Sequence, residues 1–183
     1  MSEILQTDRL RLRRFEKEDA PAIQRLAGAF EVFDTTLLIP HPYPDGAAEK
    51  FIEMTRADWD KGEQYVFAIT LRDTNELCGS MGVKVSRQHE RAELGYWIGV
   101  PFWNQGYCTE AARALLEFAF VRLKLNSVIA HHFVRNPTSG RVLQKVGMKY
   151  EGRLRQHVKK RDRFEDLECY SILKTELPFA SEG

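Results

Sequence analysis

Apolar and polar positions change period several times along the chain, and each change marks an element. Leu10 and Leu12 alternate with arginines in "TDRLRLRRF", the period-2 pattern of a strand with one buried face. The following "EKEDAPAIQRLAGAF" reads as a helix with Pro21 in its first turn, where a missing N–H does no harm. Residues 31–46, "EVFDTTLLIPHPYPDG", carry prolines 40, 42 and 44 and no steady period, which predicts a loop with short helical pieces. Asp45 stands where it would cap the next helix, "GAAEKFIEMTRADWDKG", with Phe51, Met54 and Trp59 on one side. Three strand patterns follow, "YVFAITLR", "ELCGSMGVKVS" and "AELGYWIGV", the first two separated by the turn text "DTN".

The strongest helical pattern comes next. Ala112, Leu115, Leu116, Ala119, Phe120 and Leu123 recur at spacings of three and four, so a long amphipathic helix begins near Gly106. After it come a strand "NSVIAHHFV", a helix "NPTSGRVLQKVG" ended by Gly147, and two long strand patterns over 149–160 and 164–175. The order is strand, two helices, three strands, helix, strand, helix, two strands. It predicts a mixed α/β domain around one central sheet.

Length and charge narrow the classes. The 183 residues suit one domain spanning 1–183. The 27 basic and 26 acidic residues nearly cancel, so no global field recruits nucleic acid or an anionic membrane, and a polyanion must be held by a local site. The N-terminus lacks a basic start with an apolar run, and no stretch approaches the ~18 apolar residues of a membrane span. A cytoplasmic protein is expected. Cys78, Cys108 and Cys169 are odd in number and widely spaced, which predicts reduced thiols and no metal site.

In "IGVPFWNQGYCTEAARALLEFAF" a strand passes through a glycine turn into a helix. Free backbone N–H groups at such a helix start converge where the helix dipole is positive, which attracts phosphate oxygens. Gln105 to Thr109 would supply those donors around Gly106, although the glycine could equally serve the turn alone with Thr109 as a cap. No Lys-Ser or Lys-Thr follows and no GxGxxG is present, so nucleotide hydrolysis and dinucleotide binding lose support.

With these residues in view, the chain resembles the GNAT superfamily of N-acetyltransferases, in the branch of bacterial ribosomal-protein N-terminal acetyltransferases. The likeness runs through "TDRLRLRRFEKEDA", "AELGYWIGVPFWNQGYCTEA", "NPTSGRVLQKVGMKYEGRLRQ" and "DLECYSIL". It implies a mostly antiparallel twisted sheet of about seven strands flanked by about four helices. It also implies acetyl-CoA as cosubstrate: pyrophosphate at the loop Trp103, Asn104, Gln105, Gly106, Tyr107, Cys108 and Thr109, and the pantetheine arm along Trp97 and Ile98 and against Asn136. Trp103 and Cys108 stand where the superfamily's loop usually has Gln or Arg and Gly or Ala, and Pro101 lies one residue later than usual.

Transfer to an amine needs a neutral nucleophile and a proton for the departing thiolate. Many superfamily members have Tyr at the place of Leu143, so this chain must use another group. Asn136, Ser139 and Leu143 share a helix face, and the branch carries a serine at Ser139, which is the expected acid, with helix capping as its alternative role. Glu93 and His157 are the candidate bases, each also readable as a solvent-facing strand residue. Phe33, His41 and Tyr43, with Glu93, resemble the acceptor lining of relatives, though the aromatics could instead pack over a sheet edge. An α-amine of pKa about 8 is neutral in roughly one molecule in ten at pH 7, a lysine in about one in 2,500, a gap of about 3 kcal/mol. The expected acceptor is therefore a protein N-terminus of the ribosomal type, with a small amine (polyamine, amino acid or antibiotic) or a non-catalytic CoA sensor as alternatives. Direct nucleic-acid or membrane binding is not expected, and the oligomeric state, monomer or homodimer, stays open.

Overall fold

The structure is a computed structural model and describes residues 3–177. Strand β1 (Leu5–Gln6) and strand β2 (Leu10–Arg13) lead into α1 (Ala20–Ala27), α2 (Phe30–Thr35) and α3 (Ala47–Lys61). Strands β3 (Gln64–Leu71), β4 (Leu77–Ser86) and β5 (Arg91–Ile98) follow, then α4 (Tyr107–Glu117), β6 (Ser127–Phe133), α5 (Pro137–Lys145), β7 (Lys149–Lys160) and β8 (Arg163–Leu173). The strands form one sheet in the order β1-β2-β3-β4-β5-β6-β8-β7. Every junction is antiparallel except β5–β6, which is parallel and pairs only from Arg91/Ser127 to Leu94/Ala130. Beyond that rung the two strands part.

Alternation along the strands sets two packed layers. Leu10, Leu12, Phe67, Ile69, Met81, Val83, Ala92, Leu94 and Ile98 face α4, whose Ala111, Ala112, Leu115 and Leu116 are buried against them. Leu143 of α5 joins the same layer and is fully buried. Val66, Ala68 and Leu77 face the other way, toward Ile23, Leu26 and Ala27 of α1 and Ala48 and Ile52 of α3. Burying each such large aliphatic side chain contributes about 1.5–3 kcal/mol, so the stripe on α4 fixes that helix, and its first turn, over the sheet. On the α1 side the buried Arg13 guanidinium meets Asp19 at 2.7 and 2.9 Å, and Asp19 also accepts the Glu16 N–H, so neither charge is left bare.

Three details depart from the sequence reading. The buried positions of α3 are Ala48, Ile52, Thr55 and Trp59, while Met54 is half exposed, because the stripe is phased one residue away from Phe51 and Met54. The cap of α3 is Gly46 in the left-handed region, and Asp45 instead accepts the Gln24 amide at 3.0 Å. The long helix stops being α-helical at Glu117 and widens into a π turn over Phe118–Arg122, closed by Leu123 N–H to Phe118 C=O. No described helix is long and apolar enough to cross a membrane.

Candidate active site

The parting of β5 and β6 opens a cleft of about 400 Å3. It is lined by the loop between β5 and α4, by one side of α5 from Thr138 to Lys145, and by Val32 and Thr35 of α2 with Thr36 just after it.

The loop is built to present backbone. Asn104 at φ 61° and Gly106 at φ 81° both turn left-handed, and Gly106 becomes the cap of α4. In that conformation an L side chain at 106 would be strained, which explains the glycine. Among the described residues no chain acceptor takes the N–H of Asn104, Gln105, Gly106, Tyr107, Cys108 or Thr109, whereas the amides on either side are bonded, Trp103 to Val100 and Glu110 to Gly106. All of these loop residues except Gln105 line the cleft, as do the cations Arg141 and Lys145. The loop is held from behind: Gln105 Nε2 donates to the Pro101 carbonyl at 2.9 Å, and Arg9 donates to the Gln105 carbonyl at 3.0 Å. Arg9 also lies 4.7 Å over the Tyr107 ring and pairs with Glu110 at 2.6 Å, while Thr7 Oγ1 donates to the same carboxylate. Glu110 thus clamps the N-terminal strands to the first turn of α4, a role its position alone did not suggest. Arg113 is turned away, onto the Lys145 carbonyl at the end of α5.

Strand β5 offers the next set of groups. Gly99 N–H bonds the Cys78 carbonyl across β4, so alternation directs the polar groups of Trp97 to β4 and those of Tyr96 and Ile98 into the gap. The Ile98 carbonyl accepts the Trp103 indole N–H at 2.7 Å. Trp97, Tyr96 and Ile98 all line the cleft, and of their backbones it is those of Tyr96 and Ile98 that face the gap.

Ser139 lies on α5 at the cleft wall with its Oγ 2.6 Å from the phenol oxygen of Tyr96, which also reaches the Ser139 carbonyl at 3.2 Å. Neither Asn136 nor any other side chain caps α5, so the Ser139 hydroxyl is not spent on capping. Close seating of the helix makes the contact: a Cβ on Gly140 would strike the buried His132 ring at 2.6 Å. Burial raises the Tyr96 phenol above its ordinary range, Cys108 adds to this, and the Ser139 hydrogen bond opposes it. Burial likewise pushes the Cys108 thiol up to about 12. Tyr96 escaped the sequence reading, though a hydroxyl on the otherwise apolar Ala92–Leu94–Ile98 face signals a partner across the packing.

The remaining candidates lie elsewhere. Glu93 points to the sheet face opposite Tyr96 and bonds Nδ1 of His131 at 3.1 Å. His157 is exposed on β7, beside an irregularity where Gln156 N–H bonds Asp166, and does not line the cleft. Phe33 is buried under His41, 5.3 Å away and stacked, with Lys160 and Arg161 against its ring. His41 Nδ1 contacts the Gly28 carbonyl at 3.1 Å, and the half-buried Tyr43 phenol is raised by burial. None of these three lines the cleft, which α2 meets through Val32 and Thr35. Asn136 does line it.

Comparison with known proteins agrees with this geometry. Residues 9–149 match the family described as "Acetyltransferase (GNAT) domain". The chain is 32% identical to the uncharacterized N-acetyltransferase p20 of Bacillus licheniformis, covering 95% of this chain and 98% of that one. It is 28% identical to the ribosomal-protein-serine acetyltransferase of Escherichia coli, covering 61% of this chain and 62% of the relative. A GNAT-family acetyltransferase from Bacillus anthracis has the same fold, with a TM-score of 0.85 at 25% identity over 95% of this chain and 100% of that one. Matching sequence, matching sheet and a loop of unbonded amides at a helix start place the chain in the GNAT acetyltransferase family, as an acyltransferase whose donor is acetyl-CoA.

Proposed function

We propose that the acceptor is the α-amine of a protein N-terminus, of the ribosomal type. The carrying observation is the lining of the cleft: among the described residues it includes Arg141 and Lys145 and not one Asp or Glu. A polyamine or a polycationic antibiotic needs carboxylates to hold its further charges and this lining offers none, whereas a peptide terminus brings a single, easily neutralised amine on a polar backbone. Similarity to the Escherichia coli ribosomal-protein-serine acetyltransferase supports the same class.

In this reading the amides of Asn104 to Thr109 take the pyrophosphate, aided by the positive end of α4, with Arg141 and Lys145 near the phosphates. The gap-facing groups of Tyr96 and Ile98 pair with the pantetheine arm, and Asn136 borders it. Ser139 gives its proton to the departing thiolate and is resupplied through Tyr96, whose phenol oxygen lies 2.6 Å from Ser139 Oγ; either oxygen can donate in that contact, so a proton can pass between them. Mass spectrometry of ribosomal proteins and a small-amine panel incubated with labelled acetyl-CoA tests the acceptor. Label on N-terminal peptides is expected, and preferential labelling of spermidine or of lysine side chains would overturn the reading.

A further inference from the structure

We propose that His131, held by Glu93, is the group that takes the proton from the acceptor amine. The inference rests on the acetyltransfer reading and adds the missing half of its proton traffic.

The position follows from the sheet. Parallel pairing of β5 and β6 ends at Leu94/Ala130, so Gly95 and His131 are the first residues past the last rung, one on each side of the opening. Odd-numbered residues of β5 project away from α4 and α5, and the contact between Glu93 and His131 places His131 on that same face. Ser139 and Tyr96 stand on the other face. Acid and base are thus divided between the two sides of the opening through which a thioester carbon would be presented.

Gly95 makes the approach passable. It lies between Glu93 and Trp97 on the same face, is exposed, and a Cβ built on it would meet nothing within 4 Å. The Glu93 and His131 side chains, 53% and 24% exposed, stand by Gly95 on this face, behind the cleft lining rather than within it.

Their hydrogen bond fixes which nitrogen can act. An ionised carboxylate only accepts, so Nδ1 of His131 must carry the proton in the 3.1 Å contact and the neutral ring has its lone pair on Nε2. The His131 hydrogen bond holds the Glu93 carboxyl below its ordinary value, against burial, and Lys84 and Arg91 act the same way. A carboxylate so stabilised is a poor proton acceptor and a good orienting group, which favours the imidazole as base. Cys169 of β8 stands opposite His131 in the ladder, and Glu151 of β7, bonded to Ser171, lies beyond it.

The step balances. The amine nitrogen attacks the thioester carbon and forms the C–N bond, its N–H proton passes to Nε2 of His131, and the C–S bond breaks with a proton from Ser139 capping the sulfur. Water then removes the proton from His131 and restores the one lost through Ser139 and Tyr96.

The test is steady-state thiol release by the full chain and its His131→Gln, His131→Ala and Glu93→Gln variants, on whichever amine the wild-type chain acetylates. Circular dichroism confirms that each variant is folded. For His131→Gln the expected result is a kcat lower by about 10²-fold or more, with the KM for acetyl-CoA within about 3-fold. Free imidazole should partly restore His131→Ala. The acid limb of the pH–kcat profile should change in His131→Gln, and Glu93→Gln, which removes the acceptor that orients the ring, should lower kcat by less than His131→Gln does. A kcat for His131→Gln within about 3-fold of wild type, or a loss without imidazole rescue and with an unchanged acid limb, would overturn the assignment. An acceptor other than a peptide terminus would overturn only the acceptor reading, and a wild-type chain without turnover on any amine would sink both.

Discussion

The phenol of Tyr96 on β5 and the hydroxyl of Ser139 on α5 meet at 2.6 Å across the cleft wall, although the two residues are far apart in the chain. A serine hydroxyl alone is a weak proton donor, and a phenol within hydrogen-bond distance gives it a partner with which to exchange the proton it loses. Ser139→Ala should lower kcat by about 10²-fold and Tyr96→Phe by about 10-fold or more. Because the groups act as one unit, the double variant should be no slower than Ser139→Ala. Additive losses in thiol-release kinetics would show that they act separately.

Leu143, the position at which the resemblance to the superfamily leads one to expect a tyrosine, is fully buried in the layer beneath α4. Leu143→Tyr would force a larger ring and an unpaired hydroxyl into that layer. A loss of about 2–4 kcal/mol is expected by urea unfolding, with no recovery of activity when the change is placed in Ser139→Ala. A stable, active double variant would mean that the cleft reaches Leu143.

Cys108 lines the cleft, but burial pushes its thiol up to about 12. At pH 8 only about one molecule in 10,000 would then carry the thiolate that reacts with disulfide reagents. The buried Cys78 thiol is also raised to about 12, whereas Cys169, half-buried on β8, is raised less. Cys169 should be modified first, and Cys169→Ser should remove the fast phase. Rapid labelling at Cys108, read by peptide mapping, would contradict this.

Glu110 is held below the ordinary carboxylate value of 4.5: burial opposes this, but hydrogen bonds from Thr7, the Arg9 amide and the Arg9 guanidinium outweigh it. A carboxyl depressed by folding adds stability above its unfolded value, and that stability is lost as pH falls through the folded value. Wild type should therefore lose part of its melting temperature below about pH 4.5, and Glu110→Gln should lose less over the same range while being weaker by about 1 kcal/mol at pH 7. Parallel melting curves for the two proteins across pH 3–6 would refute the clamp.

How far the sequence could be read follows from the range of each signal. Periodicity places β2 through Leu10 and Leu12 and the long helix through Leu115 and Leu116, because those residues face a core directly. Ser139 is reachable from its spacing to Asn136 and Leu143 on one helix, but its partner Tyr96 is not, since nothing local records which strand lies beneath α5. Likewise Glu93 reads as an acid on a strand, while His131 becomes its neighbour only through the parallel β5–β6 pairing. Short elements fail for another reason: β1 has two residues and α2 six, too few for a period to repeat. Met54 misleads because a helix carries apolar residues outside its stripe, and phase alone decides which are covered.

Only four residue pairs join β5 to β6, so the five-strand and three-strand parts of the sheet are hinged on a short seam at one end and stand apart at the other. An acyl donor lying in that wedge acts as a keystone, tying the two parts by bonds that the chain itself leaves unmade. Hydrogen exchange at the amides of Tyr96 and Ile98 should slow when CoA is added, while exchange at Leu94, already within the seam, should scarcely change.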